Sequence, residues 1–390
     1  MTKKLLIVNN NFDTGGVQRS LANLLNLIHE EYDITLFVFS ATGDYSKRIP
    51  DDVEVLEANP ILNLLGISQK QAKTKGMALY LLRGALAFYT KLINCHLPIF
   101  LMVSTQKKLM DFDVAISFLH NDTGKLLYGG CNDFVIRRVE SKKKVAFLHC
   151  DFSEYGGNTR HNRKSYRKFD KVAAVSEGCK KSFVKAVSDM EDRTHCVYNC
   201  HNYTEYKEMA KKDPVYYPGD ILNIVTAARI DDGKGIIRTV KVLKEIKDEG
   251  YRFCWHVLGD GNKKIQVEEL VRSLGLENEV ILYGNQKNPY RYIKNADLFL
   301  LPSYHEAAPM VFGESKSLGV PVITTETTSA RDMILEDREG TVCENSSKGI
   351  YRALKAVLND PSKLNRWKLY LSNKSYDNNL ALEQFRKLIE

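Results

Sequence analysis

The chain has 390 residues, 44 % apolar and 27 % charged, with a formal net charge of +8. That length is too great for one ordinary core and predicts two domains of about 200 residues each, with the composition of a soluble globular protein. Eight cysteines without a C-x-x-C pair predict reduced thiols, and the apolar run near the N-terminus, "LLIV", is shorter than the ~7–15 residues of a secretory signal, so export is not expected.

In chain order, "KLLIVNN" reads as a strand buried on both faces, and "VQRSLANLLNLIHE" has the spacing of a helix. "YDITLFVFS" and the weaker "VEVLEA" are strands. From Met77 to Val103 a long apolar stretch is broken by Arg83, Lys91 and His96, which excludes a spanning helix. It reads either as a helix on the domain core or as a face toward a membrane surface or an amphiphilic acceptor. "DFDVAISFL" and "KKVAFLHC" are strands, "KVAAVSEGCKKSFVKAV" is strand, turn and helix, and "THCVYN" is a final short strand. A basic band runs through Arg137, Arg138, Lys142, Lys143 and Lys144, then Arg160, Arg163, Lys164, Arg167, Lys168 and Lys171. Such a band suits a solvated surface or anionic lipid head groups. No nucleic-acid module accompanies it, so no nucleic-acid partner is expected.

"KKDPVYYPGDIL", residues 211–222, holds two prolines and a glycine and reads as an interdomain linker. The alternation then restarts. "LNIVTAAR", "YRFCWHVLGDG", "EVILYG", "DLFLLPS" and "VPVITT" are strands. "GIIRTVKVLKEIKDEG", "IQVEELVRSLGL", "PYRYIKNA" and "PMVFGESKSLG" are helices, and the tail from "PSKLNRWK" onward reads as helical throughout. The fold class is therefore α/β, with two Rossmann-like doubly wound parallel sheets in tandem. Ligands of open α/β sheets bind at the carboxyl ends of the strands, so the expected site is a cleft between the two domains.

Two stretches carry the chemistry. In "AARIDDGKG", Arg229 ends a strand and Lys234 precedes a helix. A planar fork of donors and a compact ammonium both suit a diphosphate. In "HEAAPMVFGE", Pro309 suits the first helical position and Ala308 the N-cap, where alanine cannot cap. The amides of Met310 and Val311 then have no side-chain partner, and a helix start of that kind is an anion site. Glu306, before the helix, and Glu314, inside it, accept hydrogen bonds only, which suits sugar hydroxyls rather than phosphates. Ribose, diphosphate and hexose are the outline of a nucleotide sugar.

With "FDTGGVQRS", the R-x4-K spacing of Arg229 and Lys234, "VLGDG", and the E-x7-E element followed by "SLGVPVITT", the chain resembles retaining glycosyltransferases of the GT-B fold, glycosyltransferase family four. "FLHCDFSEY", "EAAPMVFGESKSLGVPV" and "TSARDMI" are most similar to bacterial enzymes of capsular or exopolysaccharide assembly. The resemblance implies two Rossmann-like domains facing across a cleft. Residues 1–210 would bind the acceptor, 211–222 link, 223–370 bind the nucleotide sugar, and 371–390 form a helix packing back on the first domain. It implies Glu314 on the ribose, Glu306 on the donor sugar, Arg229 and Lys234 on the diphosphate, and Gly15 and Gly16 close to the phosphates. His149 would lie near the reacting centre and the base near Gly284, with no metal or cofactor. The implied donor is a UDP-sugar first and GDP-mannose second. The implied acceptor is a saccharide or lipid-linked saccharide, met in the cytoplasm or on the inner face of the cell membrane against an anionic surface. Ala307 and Pro309 stand where the family often has glycine, which narrows the donor-sugar pocket. Against this, a dinucleotide-dependent oxidoreductase lacks its G-x-G-x-x-G here, "HCVYNCH" offers a zinc alternative, and a non-catalytic sugar-nucleotide-binding homologue is the remaining rival.

Overall fold

The computed structural model describes residues 2–390. The chain divides into two units: residues up to Cys200 together with Asn378–Glu390, and His201–Asp377.

The first unit is built on a seven-stranded sheet ordered β3-β2-β1-β4-β5-β6-β7. Its strands are β1 Lys4–Asn9, β2 Asp33–Val38, β3 Glu54–Glu57, β4 Leu109–Ser117, β5 Val139–Leu148, β6 Lys171–Ala174 and β7 Thr194–Cys196. Every pairing is parallel, with Leu5 opposite both Ile34 and Val114. "KLLIVN" is buried after its first residue because helices cover both faces of a parallel sheet. Strand order reverses beside β1, between β2 and β4.

The second unit repeats the plan with six parallel strands ordered β10-β9-β8-β11-β12-β13. These are β8 Leu222–Ala227, β9 Phe253–Leu258, β10 Val280–Gly284, β11 Leu298–Leu301, β12 Val322–Thr325 and β13 Gly340–Cys343. Trp255, Val240 and Leu243 belong to one core layer, and Phe299, Phe312 and Tyr206 to another. Here the order reverses between β8 and β11, and the loops after those two strands flank the position where doubly wound sheets hold ligands.

Several expectations change. Residues 211–222 are not a link between domains: Tyr217 Oη donates to the Tyr292 carbonyl at 2.9 Å and Asn223 Nδ2 to Pro218 O at 2.8 Å, all inside the second unit. The prolines there mark an irregular segment that packs rather than one that swings. The Tyr203–Ala210 helix also belongs to the second unit, where it meets Tyr290–Ile293. The tail is not helical throughout. It breaks between Ser362–Ser372 and Asn379–Ile389, where "NKSYDN" offers side chains that compete with the helical backbone. The apolar stretch from Met77 is two helices, Met77–Leu92 and His96–Ser104, parted at "INC". No described helix is long and apolar enough to cross a membrane.

Candidate active site

The loop after β8 is held by its neighbours. Gly235 has φ +66°, and a Cβ there would lie 2.0 Å from the Pro302 carbonyl at the end of β11. Only glycine lets the two backbones come this close. Tyr304 N–H donates to Gly233 O at 2.8 Å, and Asp231 Oδ1 accepts the Gly233 amide at 3.0 Å. Arg238, buried in the helix Ile236–Asp248, reaches back to the same strand end. Its guanidinium donates to Pro302 O at 2.7 Å and to Asn345 Oδ1 at 2.7 Å, and lies 3.7 Å over the Tyr304 ring centroid. The tight packing thus joins the loop carrying Lys234 to the loop carrying Glu306.

Between those loops Lys234 Nζ and Glu306 Oε1 are 2.6 Å apart, and Ser303 Oγ donates to the same oxygen at 2.6 Å. Both partners are largely buried. Arg229 differs: its side chain is 81 % exposed and reaches Asp231 Oδ2 at 3.4 Å. So the structure joins Lys234 to Glu306, and gives Arg229 a loose partner from its own loop.

The helix after Glu306 is Met310–Ser317. Its N-cap is Pro309, extended at φ −66° and ψ 118°, not Ala308, because proline holds φ near −65° while its ψ is still outside the helix. No side chain caps this end. Glu314 lies inside the helix and is 1 % exposed. Gly313, one residue earlier, faces His201: a Cβ would sit 2.4 Å from that ring.

The "VLGDG" turn is explained by the same close packing. Cβ atoms at Gly259 and Gly261 would meet the carbonyls of Ala228 at 1.9 Å and Ile230 at 2.3 Å. Those two residues flank Arg229. Gly284, at φ +68°, ends β10 and accepts the Gly259 amide at 2.8 Å.

In the first unit the polar residues gather at the carboxyl ends of β1, β4 and β5. Gly15 is the N-cap of Gly16–Ile28 without a side-chain cap, and a Cβ on it would approach Gln18 Oε1 to 2.6 Å. Gln18 Nε2 donates to Asn11 Oδ1 at 3.1 Å, and Asn11 Nδ2 to Gly66 O at 2.8 Å. His149 follows β5, its ring centroid 4.8 Å from that of Phe118. Burial, with His120 nearby, pushes its pKa down to about 3, and burial takes His120 down to about 4. Both rings are neutral at pH 7. His149 is then a hydrogen-bonding group, not a cation. His149 Nε2, His120 Nδ1 and Asp122 Oδ2 are buried atoms without a hydrogen-bond partner among the described residues.

Sequence reading passed over Ser303, Arg238, His120 and Asp122. The signal for the last two was "HND" directly after a strand, as at Asn9–Asn11. Arg238 was hidden as one more polar helix residue. The basic band is partly neutralised by Arg167–Asp189, Lys142–Asp113 and Arg137–Asp133 pairs. "HCVYNCH" is split, with His195 in the first unit and His201 in the second. No group of three metal-binding side chains occurs among the described residues.

Residues 217–373 match the family model described as glycosyl transferases group 1. The second unit is a group 1 glycosyl transferase domain. This group 1 domain contains Arg229, Lys234, Gly284, Glu306 and Glu314. Over nearly the whole chain the protein is similar to a 4-alpha-N-acetylgalactosaminyltransferase of Campylobacter jejuni, which by name acts on a diphospho-undecaprenol-linked saccharide: 22 % identity over 366 residues, 92 % of this chain and 91 % of that one. An amylovoran biosynthesis glycosyltransferase of Erwinia amylovora is 28 % identical over 155 residues, 38 % of this chain and 37 % of that one. The chain spans about two fifths of the length of several of the curated relatives it matches. Among solved structures, Anabaena Alr3699/HepE in complex with UDP-glucose superposes with a TM-score of 0.69 at 16 % identity, covering 99 % of both chains. The group 1 domain and the first unit thus together have the two-domain GT-B fold, as the sequence motifs predict.

Proposed function

We propose that this chain is a retaining, metal-independent hexosyltransferase. Its donor is a nucleoside diphosphate sugar, a UDP-sugar before GDP-mannose. Its acceptor is a hydroxyl of a saccharide or lipid-linked saccharide in cell-surface polysaccharide synthesis. The observation that carries the reading is the junction of the β8 and β11 loops at the point of strand-order reversal. There Lys234, Glu306, Arg229 and an uncapped helix start lie on three neighbouring backbone segments.

As the glycosidic bond of the donor breaks, negative charge grows on the β-phosphate. Lys234, Arg229 and the positive end of Met310–Ser317 stabilise it, and such fixed charges act most strongly where water is excluded. The amides of Met310 and Val311 supply donors that Pro309 cannot cap. Glu306, freed from Lys234 as the phosphates arrive, holds donor-sugar hydroxyls. Glu314 holds the ribose, and the base lies against the turn at Gly284. Gly15 and Gly16 leave room for phosphate at the first strand end. His149 is neutral and hydrogen-bonds near the reacting carbon. With two cations at the diphosphate, no metal is required.

The first unit takes the acceptor. The lipid-linked saccharide in the name of the Campylobacter relative, and the UDP-glucose in that of the Anabaena structure, support these classes. Exposed Leu81, Phe88 and Leu92, and exposed Phe100 beneath Arg137 of the basic band, support a station on the anionic inner face of the membrane. The test is a panel of nucleotide sugars, assayed for binding and for slow donor hydrolysis. Turnover of one UDP-sugar, or of GDP-mannose, is expected. Binding without hydrolysis or transfer would convert the enzyme into a sugar-nucleotide binder.

A further inference from the structure

The first unit carries a second polar pocket that the donor chemistry does not use. It is a shallow depression open to solvent, of about 530 Å³, lined by His96, Thr159, Arg160, His161 and Lys164. The two imidazoles are stacked, with centroids 3.7 Å apart and planes 13° from parallel. Arg160 and Lys164 enter no ion pair among the described residues, unlike Arg167, Lys142 and Arg137 of the same basic band. Two stacked imidazoles beside two unpaired cations place hydrogen-bonding ring nitrogens and two fixed positive charges in one concavity.

The other ionisable groups around the rings do not cancel it. Asp133 is buried and already shares its charge with Arg137 at 3.8 Å, while Arg137 and Lys168 both add positive potential at His161. Burial and the neighbouring ring hold the His96 pKa below its ordinary value, and burial and nearby cations do the same for His161. A dianion beside the ring edges would reverse that bias. The surroundings of the pocket are also distinctive. His96 opens the helix His96–Ser104, whose Leu97, Phe100 and Leu101 are exposed, and the preceding helix exposes Leu81 and Phe88. A phosphate seated on His96 would therefore stand at the border of an apolar face. That combination suits an anion attached to a hydrocarbon chain better than a free anion.

We infer that the His96–His161 pocket binds the phosphate of a lipid-linked saccharide acceptor. The inference rests on the reading that the first unit takes the acceptor. It is tested by titrating the full chain, saturated with UDP, with farnesyl diphosphate, inorganic pyrophosphate and phosphatidylglycerol vesicles. Wild-type protein is expected to bind farnesyl diphosphate at least about tenfold more tightly than pyrophosphate. R160E/K164E and H96Q/H161Q are expected to lose at least about tenfold in farnesyl diphosphate affinity with UDP affinity unchanged. Equal affinity for pyrophosphate, or wild-type farnesyl diphosphate binding in both variants, overturns the inference. Loss of vesicle binding alone also overturns it, by assigning the pocket to bilayer head groups. If no nucleotide sugar or UDP binds at all, it is the transferase reading that fails.

Discussion

Lys234 and Glu306 are 72 positions apart in the chain and joined at 2.6 Å. In this pair the ammonium lies against the carboxylate, so a diphosphate bound as proposed must compete with Glu306 for Lys234. On that proposal donor binding would do two things at once: take the cation and leave the carboxylate free for sugar hydroxyls. We expect Lys234→Ala and Arg229→Ala each to lower the transfer rate roughly 100-fold or more, the scale for losing one charge-stabilising donor. Circular dichroism and Tm should stay near wild type, because Ser303 still holds Glu306. Wild-type rates in both variants would remove the diphosphate clamp.

Glu314 is expected to set nucleotide affinity. Glu314→Ala should weaken UDP binding while binding of inorganic pyrophosphate stays as it was, since only the ribose is lost. Calorimetric titration with both ligands separates the two, and unchanged UDP affinity would count against the ribose role.

Gly313 has no room for a methyl group beside His201. Overpacking of this kind costs about 1–3 kcal/mol, so Gly313→Ala should lower Tm by several degrees. His201→Ala in the same chain should recover part of the loss. Additive losses in the double variant would mean that the ring is not what the glycine accommodates.

His120 and His149 are held neutral by burial, with folded-state pKa values of about 4 and about 3 against an ordinary value of 6.5. Between those limits the unfolded chain binds more protons than the folded one, so stability rises with pH. The stabilisation is complete above the unfolded pKa and is lost as pH falls toward the folded values. For the buried His120 the slope is about 1.4 kcal/mol per pH unit. Urea unfolding at pH 7, 6 and 5 should show falling midpoints, and His120→Gln should flatten the trend. A midpoint constant over that range would contradict the burial argument.

Metal removal is expected to leave transfer intact, because the proposed mechanism assigns the charge-stabilising role to Arg229 and Lys234. Dialysis against EDTA followed by assay tests this. Activity lost on dialysis and restored by Mg²⁺ or Mn²⁺ would place a metal at the diphosphate instead.

Strand ends were legible because buried parallel strands are short apolar runs and polar residues collect where they stop. "KLLIVNN" and "DLFLLPS" show both halves of that signal. Lys234 and Glu306 were legible as residues, but not as partners: the lysine was assigned to phosphate and the carboxylate to sugar hydroxyls, and the two in fact pair with each other. The N-cap moved by one residue because φ alone cannot place proline inside or outside a helix. Arg238 was invisible for a different reason. Its role comes from a strand end 64 positions away, and periodicity describes only near neighbours.

The last helix, Asn379–Ile389, belongs to the first unit. Its end is tied there by Lys3 Nζ donating to the Ile389 carbonyl at 3.1 Å and by Arg386 pairing with Glu31 at 2.6 Å. Topologically, the group 1 domain is therefore an insert within the first unit, not a successor to it. During synthesis the first sheet is complete long before its closing helix leaves the ribosome, and the inserted domain has its whole sequence available to fold in that interval.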